Sequence, residues 1–189
     1  VLLTTAVCAQ QVQDPSQAET KPQELSRDAS RIYAGAKGSL FQVRILTATG
    51  RSQAAAGSGF VVSSDGLAIT NYHVVSKLVV DPSRYVAEAV STAGERDDIT
   101  VLKIDVLHDL ALVRINKRRD WPPLRISSRS LKQGERLYSL GNPLDLGFAI
   151  SEGSFNGLIT RPYYPQILFS GAINSGMSGG PAVDESGEV

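Results

Sequence analysis

Two histidines, a serine set among glycines and a few aspartates are the residues of this 189-residue chain whose types could do chemistry together. The serine is Ser178, in Gly176-Met177-Ser178-Gly179-Gly180-Pro181. Flanking glycines suit a nucleophile on a tight turn, because they accept positive φ and leave room for close approach. The N–H groups of Gly176 and Ser178 can converge on one point. That point would be an oxyanion hole, where charge develops during acyl transfer. A glycine turn alone does not make a nucleophile. Serine also needs a base and a group that orients the base.

His73 and His108 are the candidate bases. His73 follows Gly57-Ser58-Gly59-Phe60-Val61-Val62, a Ser63-Ser64-Asp65-Gly66 turn and Leu67-Ala68-Ile69-Thr70. That pattern reads as a β-hairpin delivering a histidine at its far end. The acid candidate is Asp109, which opens the apolar run Leu110-Ala111-Leu112-Val113-Arg114-Ile115. Such a run reads as a buried strand. A carboxylate entering it is costly unless paired, and a histidine N–H is a natural partner. Two alternatives stay open: His108 as base and Asp105 as acid. Neighbours on a strand point to opposite faces, so His108 is expected to face away from Asp109. Asp97 and Asp98 read as solvated turn charges.

The order His73, Asp109, Ser178 is that of the chymotrypsin-like fold, not of subtilisins or α/β-hydrolases. The sequence resembles the HtrA (DegP-like) branch of trypsin-like serine proteases. The resemblance rests on Gly57-Ser58-Gly59-Phe60, Thr70-Asn71-x-His73-Val74-Val75, Asp109-Leu110-Ala111-Leu112, Gly141-Asn142-Pro143 and Ala172-Ile173-Asn174-x-Gly176-x-Ser178-Gly179-Gly180-Pro181. These blocks occur in the expected order. The resemblance implies a serine endopeptidase acting on exported, unfolded polypeptides through His73, Asp109 and Ser178, with Gly176 and Ser178 as oxyanion donors. It implies no metal or organic cofactor. It also allows a homo-oligomer and a PDZ domain downstream of residue 189.

Three positions depart from relatives or qualify the resemblance. Met177 stands where trypsin-like zymogens carry an aspartate and HtrA-like enzymes usually an asparagine. Ser170 stands where HtrA sequences commonly carry aspartate. Ala172 takes the specificity-pocket place that holds aspartate in enzymes cutting after Arg or Lys. An apolar residue there offers no counter-ion to a buried cation, which is expensive to leave unpaired. A rival reading is an inactive protease-like domain serving as a chaperone or scaffold. An esterase is a third, against which the chain order of the triad argues.

These residues need a scaffold, and the sequence reads as all-β. Short, evenly spaced strands and glycine-rich turns predict two six-stranded-type antiparallel β-barrels of the chymotrypsin fold, the second incomplete. The first is expected over residues 28–122, after a short helix over 28–38. Its strands are expected at 41–47, 60–62, 67–70, 85–90, 99–106 and 110–115. Trp121-Pro122-Pro123 bridges to the second barrel over 123–189, with strands at 136–140, 149–160 and 166–170. The active site would lie in the cleft between the barrels.

Composition fits a soluble enzyme domain. Net charge is zero and 42% of residues are hydrophobic. Neither nucleic acid nor a charged membrane surface is suggested as a partner, and no stable membrane insertion is expected. One cysteine and two separated histidines give no metal cluster. Residues 1–9 read as the end of a secretory signal peptide cleaved after Ala9, and residues 10–27 as a flexible tether. Lipid attachment at Cys8 and a buried first strand are the alternatives. Cleavage after Ala9 would leave no cysteine, and Val74 occupies the place where digestive relatives carry a cysteine after the catalytic histidine. That favours a bacterial periplasmic or secreted enzyme without disulfides. The opening without methionine and the stop after Asp184-Glu185-Ser186-Gly187 read as a fragment of a longer reading frame.

Overall fold

Ser26 caps the first helix, α1 (Arg27–Ala36), its hydroxyl accepting the Ala29 N–H at 3.1 Å. A serine N-cap satisfies one of the free N–H groups at a helix start. The computed structural model describes residues 26–116, 120–160 and 164–189. The expected signal-peptide end, Cys8 and most of the tether therefore lie outside the described residues, as does Lys117-Arg118-Arg119. Ala29, Ile32 and Ala36 share the buried face of α1, at the spacing of a helical stripe. They pack with Leu40, Phe60, Leu124, Tyr138, Leu140 and Val183.

Six antiparallel strands close into a barrel in the order β1-β2-β3-β6-β5-β4. They are β1 (Leu40–Thr47), β2 (Gln53–Val61), β3 (Leu67–Asn71), β4 (Tyr85–Ser91), β5 (Arg96–Asp105) and β6 (Leu110–Ile115). Closure leaves few free edges. Phe41, Val43 and Ile45 alternate inward along β1 and meet Val61, Ala68, Ala89 and Val113. Leu40, on the opposite face, belongs to the core shared with α1. Strand β1 thus joins both cores. Trp121 packs edge-on against Phe41 at 6.0 Å, so the connection between the two sheets is anchored in the first core.

The second sheet is open and ordered β10-β7-β8-β9. Its strands are β7 (Arg136–Gly141), β8 (Ala149–Ile159), β9 (Gln166–Phe169) and β10 (Ala182–Val183). A closed six-stranded barrel beside a partial sheet is the chymotrypsin-like arrangement expected from the strand pattern. Among the described residues, no helix is long and apolar enough to cross a membrane.

Strands β2 and β3 pair as the expected hairpin, and the segment beyond it, which carries His73, is a helix, α2 (Tyr72–Val80). Its valines favour strands in isolation, but Val74 and Val75 are buried against the barrel core and burial decides. Asp97 is no solvated turn charge. The β4–β5 turn is complete before Arg96, so Asp97 already alternates inward on β5 and is 4% exposed. Asp98 is exposed but also lies on the strand, opposite Glu88. Glu88 is itself buried and meets Arg44 and Arg51 at 3.2 Å each.

Asp184 holds the turn after β10. Its carboxylate accepts the N–H groups of Ser186 at 2.8 Å and Glu188 at 3.2 Å, and the Arg129 guanidinium at 3.1 Å. Burial works to raise the carboxyl's pKa, but Arg129 and the two N–H groups outweigh it and hold it below the ordinary carboxylate range. A depressed carboxyl stabilises the fold above its unfolded pKa, and the effect is lost as pH falls through the folded value. We expect Asp184→Asn to lower stability by about 1–3 kcal/mol at pH 7. Denaturant titrations of both proteins should show that gap closing from about pH 4 downward. A gap independent of pH would mean that the charge contributes nothing.

Candidate active site

Strand β3 ends at Asn71, and the chain turns at once into α2, placing His73 in its first turn. Asn71 is the N-cap by position, yet its side chain caps no helix N–H. It donates instead to the Asp109 carbonyl at 2.7 Å. The Asp109 carboxylate supplies the cap: Oδ1 accepts the His73 N–H at 2.8 Å. Negative charge is favourable at a helix N-terminus. The other oxygen, Oδ2, lies 2.6 Å from His73 Nδ1.

Asp109 sits in the turn between β5 and β6 with φ of +54°, a left-handed conformation costly for a residue with a Cβ. Its surroundings over-determine it. The carbonyl accepts from Asn71 Nδ2 and from the Tyr72 N–H at 3.1 Å, while both carboxylate oxygens are taken by His73. An ionised carboxylate only accepts, so this contact favours the tautomer with hydrogen on Nδ1 and a lone pair on Nε2. The His73 side chain is 55% exposed.

Ser178 lies on a turn packed against the first barrel. The Ser58 N–H donates to the Ser178 carbonyl at 2.7 Å, tying the turn to β2. Gly57 makes this approach feasible. A Cβ there would lie 2.6 Å from Val74, the residue after His73, and 2.9 Å from the Ser178 carbonyl. Gly179 has φ of +86°, and a Cβ on it would run into the Ser58 carbonyl and the Thr70 hydroxyl. We therefore expect Gly179→Ala to cost about 2–4 kcal/mol through strain and overpacking. Chemical denaturation of the variant measures this; an unchanged midpoint would refute it.

The structure brings His73 and Asp109 into direct contact and sets Ser178 on the neighbouring turn. Among the described residues, the Ser178 hydroxyl makes no hydrogen bond to His73; such bonds often tighten only when substrate is seated. Gly176 adopts φ of +92°, and Met177 is 5% exposed beneath the turn. Nothing in the structure explains methionine at that position. Ala172 is exposed upstream of the turn. Ser170 extends the β8–β9 pairing, its hydroxyl accepting the Ser154 N–H at 2.8 Å.

His108 and Asp105, the alternative base and acid, pair with each other. His108 Nδ1 is 2.7 Å from Asp105 Oδ2, and its N–H donates to Oδ1 at 3.0 Å. The His108 ring also packs on Tyr164 at 4.8 Å. These contacts hold the Asp105 carboxyl below the usual carboxylate range, the His108 N–H foremost and its ring next. His108 lies in the turn between β5 and β6, where strand alternation does not set its direction, and its N–H and ring are engaged by Asp105. Asn71 and Ser58 are the site residues that sequence reasoning did not single out. Both stand inside blocks quoted for the resemblance, but neither carries a charge that would advertise a role.

His73 is held by the Asp109 carboxylate, and the glycine-flanked Ser178 turn is bonded to β2 through Ser58. Comparison with known proteins gives the class. The family model described as a trypsin-like peptidase domain matches residues 57–189. A probable periplasmic serine endoprotease DegP-like of Brucella suis is 36% identical over 141 residues, covering 71% of this chain and 26% of that protein. Serine protease HTRA1 of Xenopus laevis is 31% identical over 145 residues, covering 72% and 30%. The crystal structure of Deg5 superposes with a TM-score of 0.73 at 26% identity, covering 88% of this chain and 85% of that one. The chain belongs to the trypsin-like peptidase family, in its HtrA/DegP-like branch. It spans only 26% and 30% of the length of these two curated relatives.

Proposed function

We propose that this chain carries the catalytic machinery of a serine endopeptidase, with Ser178 as nucleophile, His73 as general base and Asp109 as its orienting acid. The observation that carries the reading is the 2.6 Å contact between His73 Nδ1 and Asp109 Oδ2. It leaves Nε2 able to take a proton. Ser178 Oγ attacks the peptide carbonyl while Nε2 accepts the hydroxyl proton. The resulting oxyanion is held by the N–H groups of Gly176 and Ser178. His73 then gives its proton to the departing amine, leaving an acyl-enzyme. Water, deprotonated by the same Nε2, releases the acid and restores Ser178. The proton taken from Ser178 leaves on the amine and one taken from water returns to Ser178 through Nε2, so the proton balance closes without a cofactor.

Exported, unfolded polypeptides are the proposed substrates, in the periplasm or outside the cell; the Brucella relative is named as a probable periplasmic endoprotease. A fluorophosphonate probe followed by peptide mapping tests the assignment. We expect the adduct on Ser178 and degradation of casein. Failure of both would favour the inactive scaffold reading. Cleavage after small or medium aliphatic residues is expected, since Ala172 offers no negative charge to a basic side chain. Mass-spectrometric mapping of casein fragments checks this. Fragments ending mainly in Arg or Lys would contradict it.

A further inference from the structure

We propose that Ser58 is a positioning residue, whose hydroxyl locks the peptide plane lying between the two oxyanion donors. The inference rests on the reading of Ser178 as nucleophile and of the Gly176 and Ser178 N–H groups as those donors.

The argument starts from peptide geometry. A trans peptide is planar, and its C=O and N–H point in opposite directions. The Gly176 N–H belongs to the plane before Gly176, and the Ser178 N–H to the plane after Met177. Between them lies one plane, made of the Gly176 C=O and the Met177 N–H. Its orientation sets the relative direction of both donors. It is held at both ends. The Met177 N–H donates to the Asn174 carbonyl at 3.1 Å, and the Gly176 carbonyl accepts from Ser58 Oγ at 2.7 Å. Gly176, at φ of +92°, has no Cβ to resist rotation on the other side. The hydrogen bonds must supply the rigidity that a side chain cannot.

Ser58 is built for this task. It is 1% exposed, on β2, in register with Gln42 of β1. Its hydroxyl accepts the Asn142 N–H at 2.9 Å, just beyond the end of β7. That bond directs the single hydroxyl hydrogen toward the Gly176 carbonyl. Its own carbonyl accepts from the Thr70 hydroxyl at 2.7 Å, one residue before Asn71. Its N–H donates to the Ser178 carbonyl. One buried side chain therefore joins the first barrel, the second sheet and the nucleophile turn. Alanine at this position would leave the Asn142 N–H and the Gly176 C=O without their partner.

The test uses the full chain, assayed well below its melting temperature. Ser58→Ala should lower kcat about 10- to 100-fold with KM nearly unchanged, because the loss falls on the transition state. Fluorophosphonate labelling should slow in parallel. Ser39→Ala is the control: Ser39 is equally buried and its hydroxyl donates to the Pro122 carbonyl, away from the site. It should lower the melting temperature and leave kcat alone. Ser58→Cys, which keeps a weak donor, should give intermediate kcat, and it serves if Ser58→Ala does not fold. Wild-type kcat in Ser58→Ala or Ser58→Cys, or a loss of KM alone, overturns the inference. Turnover that survives Ser178→Ala would instead overturn the underlying assignment of the nucleophile.

Discussion

Replacing Ser178 or His73 by alanine is expected to lower kcat by about 10⁶-fold in each case, and the double substitution should be little worse. In the proposed mechanism the residues act as one unit. Without the Ser178 hydroxyl, His73 has no proton to take. Without His73, the hydroxyl stays protonated and weakly nucleophilic. Neither change should disturb the fold much. His73 is about half exposed, and the Ser178 hydroxyl makes no hydrogen bond among the described residues. The turn is held through its backbone by Ser58, Asn174 and Gly180. The measurement is steady-state hydrolysis of a peptide substrate, with melting curves to show that the variants fold. His108→Ala should retain activity, because His108 is engaged with Asp105 and Tyr164. Retention of more than a tenth of activity by His73→Ala, with abolition by His108→Ala, would reverse the assignment of the base.

Much of this site was visible in the sequence because charge and periodicity mark it. The strand Leu110–Ile115 is bounded as its apolar run predicts, with Asp109 at its mouth. The partnership of His73 with Asp109 could be argued from the cost of an unpaired carboxylate beside such a strand. What the sequence did not show was how that carboxylate is held. Capping of α2 by Asp109, in place of Asn71, depends on bringing together residues 36 apart in the chain. Nothing local encodes it. The helix itself was hidden by its valines, whose strand preference is overridden by burial of Val74 and Val75. Asp97 was misread for a related reason. Charged residues near a turn are usually solvated, and only the hairpin register turns Asp97 inward. The hydroxyl of Ser58 was invisible because a small uncharged residue in a glycine-rich strand has many bland explanations. Its bonds form only where β2, the end of β7 and the Ser178 turn meet.

The second large effect expected is from Asp109→Asn, at about 10⁴-fold in kcat. The substitution exchanges one carboxylate oxygen for an NH₂ of similar size and should preserve the fold. Asparagine tolerates the left-handed backbone at this position at least as well as aspartate. The main-chain carbonyl keeps its bonds to Asn71 and Tyr72. The amide oxygen can go on accepting the His73 N–H that caps α2, where Oδ1 now sits at 2.8 Å. The amide NH₂ must then face His73 Nδ1, where Oδ2 now sits at 2.6 Å. Two donors cannot share one hydrogen bond, so Nδ1 must give up its hydrogen and accept. The hydrogen moves to Nε2, the atom that should receive the Ser178 proton. The base is lost by a change of tautomer alone, with the geometry intact. Loss of the nearby carboxylate also withdraws support from the imidazolium formed during attack. Imidazole nitrogen NMR shifts should report the change of tautomer, and hydrolysis rates should report its cost. Near-normal activity in Asp109→Asn, with nitrogen shifts still showing hydrogen on Nδ1, would mean that the carboxylate positions α2 and has no part in catalysis.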